Sequence, residues 1–138
     1  MFLLDTNVIS ELRKATTNKA DKNVIKWAKQ QSVGSLFISS ITILEIEMGI
    51  LQKERKDPQQ AAKLRTWLDF HVLKAFSERI LPLDTSVALQ CAKLHVPDPK
   101  SERDAMIGAT AKVHGMTLVT RNIKDFKHMK LELINPWL

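Results

Sequence analysis

The sequence predicts an α/β fold with a small parallel sheet. Short apolar runs alternate with longer stretches of helical periodicity, and each run is bounded by polar or turn residues. Five runs read as strands: Phe2 to Leu4, Leu36 to Ser39, Ile80 to Leu83, Thr117 to Thr120 and Leu131 to Ile134. Between the first two, Val24, Trp27, Ala28 and Gln31 mark one face of a helix. The stretch from Thr42 to Lys53 is apolar nearly all round, interrupted by Glu45, Glu47, Gln52 and Lys53, and predicts a buried helix. Lys53 to Pro58 is a charged turn. Beyond it Ala61, Leu64, Leu68, Val72 and Ala75 share the face of a further helix with Pro58 near its start, so the two helices form a protruding hairpin. Asp84 to His95 is a helix capped by Asp84. Its face of Val87, Ala88, Cys91 and Leu94 makes Cys91 a core residue rather than a nucleophile. Pro97 and Pro99 impose a loop, Ser101 restarts a helix that runs to His114, and Gly115 supplies its left-handed cap.

A chain of 138 residues, 44% of them apolar, has the length of one domain, residues 1–138, and enough apolar side chains for a real core. Global disorder is excluded. Lys and Arg number 21 against 15 Asp and Glu, and the resulting charge of +6 favours a polyanionic partner. A single cysteine excludes a disulfide framework and any Cys-rich zinc site, and points to a reducing compartment, the cytoplasm by default. No apolar run approaches the roughly 20 residues of a membrane span. Nor does the opening carry a basic region followed by a long apolar stretch, so neither export nor anchoring is expected.

The acids fall at informative places. Asp5 directly follows the first strand, Glu45 lies a few residues beyond the second, Asp104 opens the helix before the fourth, and Asp125 follows that strand. Strand ends of a parallel sheet share one edge, and ligands bind in the crevice there. Asp5, Glu45 and Asp125 belong near that edge, and Asp104 joins them if its helix runs antiparallel to the strand it precedes. A simpler reading competes: Thr42-x-x-Glu45, Ser101-x-x-Asp104 and Asn122-x-x-Asp125 all have capping spacing. Capping gives no reason for the small residues beside the acids, Ala105, Gly108 and Ala109 after Asp104 and Gly49 one turn beyond Glu45, which leave room for a ligand. Glu47 points roughly 200° away from Glu45 on the same helix and reads as a solvated or partner-facing charge.

Converging carboxylates repel by about 4 kcal/mol per close pair at an effective dielectric near 20, so a cation belongs among them. Oxygen ligands without Cys or His select Mg²⁺ or Mn²⁺. His71, His95, His114 and His128 are scattered and form no i,i+4 pair, which disfavours a zinc hydrolase. There is no nucleophile elbow and no glycine-rich phosphate loop among Gly34, Gly49, Gly108 and Gly115. An aspartyl-phosphate phosphatase would carry D-x-D after the first strand, whereas position 7 here is Asn7.

Five segments in order, LLDTNVISEL, SSITILEIEMGI, RDAMIGATAKVHG, LVTRNIKDF and INPW, resemble the PIN-domain ribonucleases of the VapC toxin type over the whole chain. The resemblance implies a five-stranded parallel sheet between helices and a Mg²⁺-dependent endoribonuclease that cleaves RNA phosphodiester bonds. It also implies a toxin neutralised by a cognate, VapB-like antitoxin. Carried over by position, Asp5 and Asp104 match the first and third acids, which hold the metal, and Glu45 matches the second, which binds a second ion or orients the attacking water. Thr6 and Thr120 match hydroxyl residues that orient the first and fourth acids, and Asn7 holds a ligand or opens its helix. The departure is at the fourth acid, where many relatives resemble T-x-D but this chain reads Thr120-Arg121-Asn122, with Asp125 the nearest acid. Asp125 is expected to contribute charge through a water-bridged contact while Asn122 caps the loop. Lys53, Arg55, Lys56, Lys63 and Arg65 on the hairpin, with Arg103 and Arg121 near the acids, are expected to guide the RNA backbone. A groove near Glu47, Met48 and Leu51 would receive an apolar helix of the antitoxin, and Trp137 with the apolar helices suggests a homodimer. Two other classes stay open: a PIN-like module that binds RNA or protein without cutting, and a small-molecule phosphatase.

Overall fold

Strand alternation sends Leu3 to one face of the sheet and Leu4 to the other, and both are fully buried, so helices must cover both faces. The computed structural model, which describes residues 1–138, shows this arrangement. Strands β1 (Phe2–Leu4), β2 (Leu36–Ser39), β3 (Ile80–Leu81), β4 (Thr117–Val119) and β5 (Leu133–Ile134) form one five-stranded sheet in the order β3-β2-β1-β4-β5. All four pairings are parallel, with Leu3 opposite Phe37 and Leu118, and Leu4 opposite Val119. The α/β class and the positions of the strands agree with the sequence reading. Strand β3 is shorter than expected because Pro82 has no N–H to extend the ladder.

One core packs Leu3 and Leu118 against Val87 and Cys91 of α6 (Thr85–Leu94) and the buried side of α7 (Glu102–Val113). The other packs Leu4, Ile38 and Val119 against α1 (Thr6–Arg13), α3 (Ser40–Glu54) and the segment after α4 (Pro58–Trp67). Helix α2 (Lys22–Lys29) is capped by Asp21, which accepts from the N–H groups of Asn23 and Val24, and Val24 is its buried residue. Asp84 caps α6 as predicted, accepting from Val87 N–H at 3.0 Å, and Gly115 takes the left-handed conformation with φ of 63°.

Three expectations are corrected. The helix through Ala61 to Ala75 is not a single α-helix: after α4 comes a π-helical turn, Leu68–Val72, then α5 (Leu73–Ala75). Leu68, Val72 and Phe76 are spaced by four, wider than an α-helical turn, and the looser turn keeps them on the inner face while Ala75 is exposed. Helix α3 begins at Ser40, two residues earlier than expected, with Ser39 Oγ accepting from Ile41 N–H at 3.0 Å. Thr42 therefore caps nothing, and Glu45 lies beyond the first turn. Third, Gly108 does not leave space for a ligand: a Cβ there would collide with the sulfur of Met129, itself buried in the core. Gly108→Val should accordingly cost about 1–3 kcal/mol by overpacking, read as a lowered urea midpoint at unchanged slope.

Candidate active site

Asp5 stands at the end of the central strand and is only 5% exposed. It caps α1, its Oδ1 accepting from Thr6 N–H at 2.8 Å. Its Oδ2 accepts from the Thr120 hydroxyl at 2.7 Å, beyond the end of the neighbouring β4, and from Asn7 Nδ2 at 3.3 Å. Thr120 Oγ1 in turn accepts from Asn122 N–H at 3.0 Å, so strand and loop lock each other. The first acid is thus held at both oxygens by groups that the sheet register brings together.

Glu45, on α3, accepts from the Thr6 hydroxyl at 2.7 Å, and Thr6 Oγ1 also lies 3.1 Å from Thr42 Oγ1. Arg103 Nε sits 3.7 Å from the second oxygen of Glu45. Asp104 lies in the first turn of α7, half-buried, and Ser101 makes no side-chain capping bond. These acids come together in an open cleft of about 420 Å³, lined by Asp5, Glu45 and Asp104 with Thr6, Asn7 and Asn122. Ser10, Glu11, Arg121 and Trp137 complete the wall. Glu47 faces the other way, in a two-pronged ion pair with Arg65 of α4 whose second contact is 2.6 Å. The pair ties the hairpin together, so Arg65 is not a free cation for RNA.

Burial pushes the Asp5 carboxyl up to about 6, against the pull of Thr120 and Thr6 and with a further push from Asp104 and Glu45. Burial also raises Asp104, and Asp125 and Glu45 add to it, while Ser101 and Arg103 oppose it. The acids therefore feel one another's charge. No group of three or more is close enough to hold one ion directly through its own oxygens. A hard-oxygen set of this kind, with protonation favoured first by burial and then by the neighbouring acids, fits an ion that keeps most of its water and takes one or two carboxylates.

Asp125, in the short α8 (Ile123–Phe126), is exposed and does not line the cleft, although its charge reaches Asp104. Asn122 does line it and makes no side-chain cap bond, so the capping expected of Asn122 is not what the structure shows. The sequence reading missed Ser10 and Glu11. With Asn7 they fall at i, i+3 and i+4 on α1, a spacing that would have marked the face turned to the cleft. Glu11 is already engaged, accepting from Asp21 N–H at 2.7 Å and Lys14 Nζ at 3.2 Å.

A second groove adjoins at Thr6, Ser10 and Glu45 and continues past Gly49, Arg13 and Lys53. A Cβ on Gly49 would meet nothing within 4 Å, so there the open space expected beside Glu45 is present.

A parallel α/β sheet with acids gathered at its carboxyl edge defines an α/β protein with an acid-lined cleft at its strand ends. Residues 2–131 match the family model described as PIN domain. Over 146 aligned residues the chain is 36% identical to "VapC ribonuclease Y4jK" of Sinorhizobium fredii, covering 99% of this chain and 98% of that protein. It is 33% identical to "Toxin FitB" of Neisseria gonorrhoeae over 99% of both chains. A crystal structure of FitAcB from Neisseria gonorrhoeae superposes with a TM-score of 0.88 at 30% identity, covering 99% of each chain. The chain belongs to the PIN-domain family.

Proposed function

We propose that this chain is a Mg²⁺-dependent endoribonuclease, with Mn²⁺ able to substitute, acting in the cytoplasm as the toxin of a toxin–antitoxin pair. The observation that carries the reading is the convergence of Asp5, Glu45 and Asp104 from three separate elements on one cleft. The names of the relatives, a VapC ribonuclease and a toxin, support RNA as substrate and the toxin role. Their near end-to-end coverage supports residues 1–138 acting as one domain.

A divalent ion at this cleft would supply a lowered pKa to a water and a positive charge beside the phosphoryl oxygens. Asp5 and Asp104 would hold it. Thr120, Asn7 and the Thr6 amide fix the Asp5 carboxylate in place beforehand. Glu45, aimed by Thr6 and Arg103, orients the attacking water and can take its proton. Arg13 and Lys53 in the adjoining groove and the exposed Lys56 and Lys63 offer charge to the RNA backbone. Purified protein should cleave total cellular RNA with Mg²⁺ and not in excess chelator. RNA binding without cleavage, unchanged in Asp5→Asn, would instead identify a binding module, and turnover of a generic phosphate ester would identify a phosphatase.

Asp125 acts in this scheme as an outer charge on Asp104. Asp125→Asn should raise the Mg²⁺ concentration for half-maximal cleavage a few-fold while leaving the thermal midpoint nearly unchanged, because the side chain is exposed. A lost midpoint with unaltered Mg²⁺ dependence would show that Asp125 serves its helix alone.

The partner reading rests on α3. Leu44, Met48 and Leu51 follow one another at helical spacing and are 46%, 38% and 49% exposed, next to Arg103, whose guanidinium reaches the Met48 sulfur at 3.7 Å. An apolar helix of an antitoxin laid on this stripe would pass beside the cleft and could carry a basic side chain to the acids. Expression of the chain alone should arrest growth, and Met48→Asp should abolish rescue by a co-expressed antitoxin while sparing cleavage. Harmless high expression of active enzyme would remove the toxin role and leave the nuclease standing. No helix of the structure is long and apolar enough to cross a membrane.

A further inference from the structure

Trp137 is the only hydrophobic residue among those lining the acid cleft. Its position is set from both sides: its backbone N–H donates to Asn135 Oδ1 at 3.0 Å, and its carbonyl accepts from Asn23 Nδ2 at 2.8 Å. Part of the indole packs on the second core, so it is not the free apolar surface that a dimer contact would use. The Arg121 guanidinium stands over the ring, 5.3 Å from its centroid, and the Arg121 backbone N–H donates to Asn7 Oδ1 at 3.4 Å. Arg121 is exposed and is the one cation of the cleft wall. The planar cation lies on a half-buried indole in a wall with four carboxylates, and its side chain makes no hydrogen bond or ion pair of its own.

We propose that Arg121 and Trp137 form a stacking platform for one unpaired nucleobase beside the cleft of Asp5 and Asp104. This rests on the RNA-cleaving reading above and narrows its substrate to single strands. Indole and guanidinium planes both stack nucleobases, and the guanidinium edge remains free to meet a neighbouring phosphate. Among acids that repel a polyanion, the platform offers an attraction that charge alone does not supply. A base inside a duplex is already stacked on both faces and cannot enter. The platform therefore discriminates by pairing state rather than by base identity.

The test uses the full chain with single-stranded oligo(A) and the same strand annealed to oligo(U). In a Trp27→Phe, Trp67→Phe background Trp137 is the only indole. With chelator present to prevent cleavage, its fluorescence should be quenched by the single strand and not by the duplex. With Mg²⁺, Trp137→Ala and Arg121→Ala should each raise KM on the single strand by on the order of ten-fold, with a smaller effect on kcat, and Trp137→Phe should recover most of the loss. Arg121 is exposed, so Arg121→Ala carries the test even if Trp137→Ala fails to fold. Wild-type cleavage with no quenching and an unchanged KM in Arg121→Ala would overturn the platform and leave the nuclease intact. Selective quenching by the single strand in a protein that never cleaves would keep the platform and overturn the nuclease. Equal quenching by strand and duplex would overturn the platform.

Discussion

Asp5→Asn and Asp104→Asn should each lower RNA cleavage by orders of magnitude while the protein stays folded. Either change removes a charged ligand from the proposed ion and keeps the shape of the side chain. At Asp5 the amide oxygen can still accept from Thr6 N–H, and the amide nitrogen can donate to the Thr120 hydroxyl, so only the longer contact with Asn7 is opposed. Without metal, each variant should match or exceed the wild-type thermal midpoint, because burial and neighbouring acids disfavour the charge being removed. Single-turnover cleavage of RNA over a Mg²⁺ series, beside thermal unfolding in chelator, measures both halves. Undiminished cleavage in either variant would sink the metal-nuclease reading.

The second large effect is on pH. A carboxyl held at about 6 against an ordinary 3.8 binds its proton more tightly when folded than when unfolded. Its contribution to stability is full below pH 4 and is lost as pH rises through about 6. The metal-free protein should lose about 3 kcal/mol across that window from Asp5, and Asp104 acts in the same direction. Asp5→Asn should flatten most of the slope. Saturating Mg²⁺ should reverse it, since the ion binds the deprotonated acids and competes with protons, so half-activating Mg²⁺ should fall as pH rises through 6. Chemical denaturation at several pH values, with chelator and with Mg²⁺, reads both slopes. A metal-free protein that is more stable at pH 7 than at pH 5 would contradict the sign.

What the sequence showed about this fold was what local pattern encodes. Strands such as Phe2–Leu4 and Leu36–Ser39 announce themselves by short apolar runs, and Asp84 announces its helix by capping chemistry. The placing of Asp5 and Glu45 followed from one rule, that parallel strands end at a common edge, and that of Asp104 from its helix running back to that edge; the same rule put Asp125 there too, and it does not line the cleft. Pairings between distant side chains were not legible. Glu47 was correctly turned away from the site by helix geometry, but nothing local marks Arg65 as its partner. Gly108 looked like room for a ligand because a missing side chain says nothing about what fills the gap, here Met129. The π-helical turn hid behind a face that an α-helix nearly fits, and only the spacing of Leu68, Val72 and Phe76 distinguishes the two. Trp137 could not be assigned to the cleft, since the contacts that place it come from Asn23 and Arg121, each far away in the chain.

The hydrogen bond from Thr120 to Asp5 joins residues 115 positions apart. Thr120 is made 115 residues after Asp5, roughly 6–23 s later at ordinary elongation rates. Until then β1 lacks its neighbour β4, Asp5 lacks the hydroxyl that aims it, and Asp104 has no edge to lean against. A chain broken off just before β4 contains Asp5, Glu45 and Asp104 but lacks the strand and the Thr120 hydroxyl that complete the cleft. Under the proposed ribonuclease reading, this ordering in time means that a chain without β4 has no assembled site with which to cut RNA.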